Sequence, residues 1–70
     1  MMPITFADVG EEYIIQRVSG RPEQKKHLED MGFIAGHPVT VINTVNGNLI
    51  LKVKECRVAV SLEMAQKIMI

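Results

Sequence analysis

Seventy residues carry one cysteine, no tryptophan, one tyrosine and two phenylalanines. A lone cysteine can form no intramolecular disulfide, so nothing covalent staples the fold, and a reducing cytoplasm is expected rather than secretion. Aromatics at 4% leave little to stack on bases, and eight basic against eight acidic residues leave no excess to replace counterions on a phosphate backbone. A nucleic-acid partner is therefore not expected. No apolar run approaches the roughly 20 residues that span a bilayer. Met1-Met2-Pro3-Ile4-Thr5-Phe6-Ala7-Asp8 has neither the basic lead nor the apolar stretch of a signal peptide, so direct membrane insertion is not expected either.

What is abundant is aliphatic. Hydrophobic residues make up 47% of the chain, mostly Ile, Val, Leu and Met. A chain of this length forms one domain, residues 1–70, and buries only about 60% of its unfolded surface. The surplus points to apolar surface held for a partner or, as a weak homo-oligomer, for a second copy. Scattered surface aliphatics are the alternative.

The stretch from His27 to Val39 is the most informative. A helix beginning at Pro22, at home in a first turn, runs to about Met31, with Leu28 and Met31 as its large apolar positions. Gly32 follows as a left-handed stop, Phe33 and Ile34 turn back toward the core, Gly36 reverses the chain and Pro38 opens a strand. Gly20 carries no such requirement on this reading.

Elsewhere, residues 13–18 form a strand whose adjacent Ile14 and Ile15 imply a bulge or burial on both faces. Two strands, at 39–45 and 49–53, flank Asn46-Gly47-Asn48. Asn-Gly suggests a two-residue turn, yet a three-residue loop puts Val39, Val41, Val45, Leu49, Leu51 and Val53 on one face. Burial favours that loop, with Ile42 and Ile50 on the outer face. Lys54-Glu55 is a second turn, and Cys56, Val58 and Val60 alternate inward. Ser61 caps a short helix over 62–67, and Ile68-Met69-Ile70 closes against the first strand. Five short strands and two short helices predict a mostly β fold, a small SH3-like barrel.

Catalytic chemistry finds little support. Ser19 and Ser61 have no neighbouring His, Glu11 and Glu12 diverge in an extended chain, and Cys56 reads as a small hydrophobe. An enzyme is not expected. Glu23, His27 and Asp30 share one helix face at i, i+4 and i+7 and are candidate ligands for Fe2+ or another divalent transition metal. The plainer alternative is a carboxylate near the helix N-terminus and a solvated histidine. Lys25 and Lys26 each precede an acid by four residues, the weaker order for helical ion pairs, which suggests a positive patch for an acidic partner.

The tandem spacing resembles the FeoA family, small cytoplasmic proteins linked to ferrous iron uptake. The matching residues are Leu28, Met31, Gly32, Phe33, Ile34, Gly36 and Val39, with Phe6 to Gly10 in the opening turn. Arg57-Val58-Ala59-Val60 and Ala65-Gln66-Lys67-Ile68-Met69-Ile70 match at the close. Met31 stands where the family usually has Leu, and Ala35 where it usually has Pro. The resemblance implies an SH3-like module that docks on FeoB, a membrane ferrous-iron transporter with a cytoplasmic GTPase domain, and affects its transport. Lys25, Lys26, Leu28, Met31, Phe33 and Ile34 become candidate partner-binding residues, with Gly10, Gly32 and Gly36 as structural positions. Similarity to the C-terminal domain of DtxR-type repressors implies the alternative, a metal-responsive regulatory domain binding Fe2+ or Mn2+.

Overall fold

A computed structural model describes residues 1–70. A 3-10 turn at Ile4–Phe6 leads to β1 (Glu12–Ile14) and β2 (Arg17–Val18). Helix α1 (Pro22–Asp30) is followed by β3 (Pro38–Val45), β4 (Asn48–Val53) and β5 (Cys56–Ser61). Helix α2 (Leu62–Ala65) and β6 (Ile68–Met69) complete the chain. An antiparallel sheet runs β1-β3-β4-β5, and a two-stranded ribbon pairs β2 with β6. This is the expected small, mostly β, SH3-like architecture with two short helices. It differs in having six strands, in two sheets that no hydrogen-bonded ladder closes into one barrel.

The sixth strand arises where residues 13–18 were expected to run unbroken. Ile14 pairs with Pro38 at the sheet edge and is 47% exposed, whereas Ile15 is buried. Ile15 N–H donates to the His37 carbonyl at 2.9 Å, and Gln16 N–H donates to the Met69 carbonyl at 2.8 Å. The backbone thus hands its hydrogen bonds from one sheet to the other over two residues, and adjacent isoleucines serve different surroundings. β6 closes against β2, as expected of the C-terminal residues. Beyond it, Met2 and Ile70 exchange hydrogen bonds in both directions, at 2.9 and 2.8 Å.

The β3–β4 hairpin corrects the expected loop. Val45 pairs with Asn48, so the turn holds only Asn46 and Gly47, with φ of 48° and 78°. Two consecutive left-handed residues twist a tight turn in the sense that strands require, which is why Asn-Gly suits it. The missing residue of phase is restored inside β3. Val41 pairs with Leu51 and Asn43 with Ile50, leaving Ile42 as a bulge. Val39, Val41, Leu49, Leu51 and Val53 therefore do share the buried face, but Val45 falls outside it, 42% exposed. The Lys54-Glu55 turn forms, with Lys54 at φ 56°. Cys56 pairs with the buried Val53 and so keeps the expected alternation with Val58 and Val60, but at the start of its strand it is exposed.

Thirteen residues make up the core, all of them hydrophobic, and Phe33 is the one aromatic among them. Ser61 Oγ accepts from Met64 N–H at 3.2 Å and starts α2 as expected, although the helix ends at Ala65.

Candidate docking surface

Helix α1 starts at Pro22 and is held by a half-formed capping box. Arg21 has no side-chain acceptor, but Gln24 Oε1 accepts from Arg21 N–H at 2.9 Å. Leu28 is the only buried side chain of α1. One anchor on one face leaves the rest of the helix to solvent.

The exit is more strongly determined. Gly32 N–H donates to the Glu29 carbonyl at 2.9 Å, and Phe33 N–H donates to the Leu28 carbonyl at 3.0 Å. These paired reverse bonds form a Schellman closure, with Gly32 at φ 105° in the position that requires it. The closure delivers Phe33 into the core beside Leu28, both at 0% exposure. Leu28 and Phe33 consequently hold the surface from beneath and offer no atoms to a partner, which corrects their candidacy as contact residues. Met31 is half-buried against the core and Ile34 is 38% exposed. Lys25 and Lys26 are exposed, and Lys26 Nζ meets Asp30 Oδ2 at 3.3 Å. Lys25 has no ion pair, so the exposed patch comprises Lys25, Lys26, part of Met31 and Ile34.

The structure corrects two further expectations. Gly20 also has φ 105°, and a Cβ there would lie 2.7 Å from Lys67 Cδ and 3.0 Å from Gln24 Oε1, so it is as constrained as Gly32. Glu23, His27 and Asp30 do not gather: no group of three or more His, Cys, Asp or Glu residues comes close enough to hold a metal ion. His37 Nδ1 is buried without a hydrogen-bond partner, yet no such set forms around it. The donor set does not fit a resident metal centre.

The sequence reading missed a cleft of about 270 Å³ lined by Glu12, Pro38, Thr40, Lys52, Lys54 and Glu55. None of its charged residues is ion-paired; the chain's one salt bridge is Lys26–Asp30. Its residues come from three strands and a turn that only the sheet brings together. The alternation of Lys52 between Leu51 and Val53 is the signal that could have placed it outward.

No helix is long and apolar enough to cross a membrane. A protein of Methanocaldococcus jannaschii, provisionally named Fe(2+) transport protein A, is 33% identical over 70 residues, spanning 100% of this chain and 85% of that protein. The fold is shared with a crystal structure described as an iron uptake regulatory protein, FeoA. There the TM-score is 0.86 at 22% identity, over 96% of this chain and 89% of the other. A Stenotrophomonas maltophilia FeoA complexed with zinc, described as a prokaryotic SH3 domain protein, superposes with a TM-score of 0.84. Its identity is 16%, over 97% of this chain and 87% of that one. The FeoA domain description matches residues 2–70, nearly the whole chain that folds around Leu28, Gly32 and Phe33, and the chain therefore belongs to the FeoA family.

Proposed function

We propose that this chain is a non-enzymatic, cytoplasmic accessory protein of ferrous iron transport that docks on a FeoB-like membrane transporter and alters its transport. The observation that carries the reading is the end-to-end family match, joined to a relative named for Fe(2+) transport that aligns along the whole chain. The docking surface is α1 and its exit: Lys25 and Lys26 supply positive charge, while Met31 and Ile34 supply apolar contact. Two features favour this patch. Its backbone is fixed by the closure at Gly32, so little ordering is lost on binding, and Lys25 is free of any intramolecular ion pair. The metal-responsive alternative loses ground because Glu23, His27 and Asp30 do not converge.

Capture of the transporter's cytoplasmic domain by the immobilised chain tests the reading. Lys25→Glu/Lys26→Glu should reduce capture, and rising salt should reduce capture by the parent. The variant must first melt like the parent. Unchanged capture by a folded double variant removes α1 from the interface, and no capture by the parent overturns the docking itself.

A further inference from the structure

The outer face of the four-stranded sheet carries a pattern that the docking reading does not use. Alternation from the buried Val41 and Leu51 places Ile42 and Ile50 on this face, both half-buried. Beside them a single row crosses all four strands: Glu12 pairs with Thr40, Thr40 with Lys52, and Lys52 with Arg57. The row is acidic at the β1 edge and cationic toward the β5 edge, and neither Glu12 nor Arg57 has an ion pair within the chain.

We propose that this face is a self-association surface on which a second copy packs face to face about a two-fold axis parallel to the strands. That rotation lays β1 over β5 of the second copy and β3 over its β4. Glu12 then meets Arg57 of the second copy, twice by symmetry, and Ile42 meets Ile50, also twice. The alternative axis, perpendicular to the strands, lays β1 on β1 and β5 on β5, so it cannot bring Glu12 to Arg57. Run along this row, it stacks Glu12 on Glu12 and Arg57 on Arg57. The charge pattern therefore selects one orientation as well as one occupant. The cleft beside Glu12, about 270 Å³, leaves room for the arriving guanidinium. Strands about 4.8 Å apart and outward rows about 6.8 Å apart give a face of roughly 300–400 Å² per copy. That is below the size of a stable interface, so the dimer is transient and concentration-dependent.

Sedimentation velocity on the full chain, from about 10 µM to about 1 mM, tests this. The parent should pass from monomer toward dimer across that range. Glu12→Arg alone and Arg57→Glu alone should each weaken association about fivefold to tenfold, and the two together should restore it to within about threefold of the parent. Ile50→Lys should weaken it by about tenfold or more. Melting at low concentration checks that each monomer is intact; because Ile50 is half-buried, the exposed charge reversals decide if that variant melts early. A parent that stays monomeric throughout, or a double reversal no tighter than the single ones, overturns the proposal.

Discussion

Gly32 and Gly47 each mark a reversal of the chain, and the two reversals obey different logic. At Gly32 every bond that makes the turn lies within residues 28–33, so a left-handed stop followed by a buried aromatic is decided locally. At Gly47 the turn itself is equally local, yet which face the strands bury depends on residues some distance away. An extra loop residue and a bulge inside β3 shift side-chain phase by the same single position. The apolar pattern can show that one residue is out of step. It cannot show whether that residue is in the loop or at Ile42.

The largest effect expected concerns the helix exit. Phe33→Ala should cost about 3–5 kcal/mol, and in so small a core that should leave little folded protein by circular dichroism. On the hairpin side, Leu51→Ala or Val41→Ala should cost roughly 1–4 kcal/mol in urea melts. Val45→Thr should change stability by less than about 0.5 kcal/mol, since its side chain lies outside the core. A costly Val45 substitution would restore the longer loop.

Deletions sharpen the contrast between bulge and loop. Removing Ile42 converts β3 and β4 into a regular ladder and keeps Val39, Val41 and Leu51 facing inward. Removing Thr44 also leaves Val41 opposite Leu51, but it brings Asn43 opposite the buried Leu49 and Ile42 opposite Ile50. Both variants should therefore keep dispersed amide spectra, with Val41 still packed on Leu51; collapse of both spectra would refute the bulge. Smaller still, Gly32→Ala and Gly20→Ala should each cost about 1–2 kcal/mol, because both positions need a left-handed backbone. At Gly32 the new Cβ meets only Val53 methyls at ordinary distance, 3.6 and 3.7 Å, so its cost is conformational. At Gly20 Lys67 must also move. The smallest change expected is Lys26→Ala, about 0.5 kcal/mol or less, for an exposed i,i+4 pair in the weaker order.

Where the sequence was legible, a few consecutive residues carried the whole instruction. Pro22, Leu28, Gly32 and Phe33 specify α1 and its closure, and Ser61 specifies the start of α2. The break at Ile15 was not legible, because the two sheets that share residues 12–18 are assembled by partners at 36–40 and 68–69. The candidate surface was half legible for a related reason. Helical spacing placed Lys25 and Lys26 outside, but the same run of residues sends Leu28 and Phe33 fully inside. The Glu12–Arg57 row was invisible, since its four members lie on four strands and meet only through register.

The paired hydrogen bonds between Met2 and Ile70 give the chain the connectivity of a clasped bracelet. Met2 and Ile70, 68 positions apart in sequence, are neighbours in space. Both residues sit beside the β2–β6 ribbon, next to the Pro3–Met69 bridge. A circular permutant, with Met2 and Ile70 bridged by a few glycines and new termini opened at the exposed Asn46-Gly47 turn, should therefore refold to the same architecture.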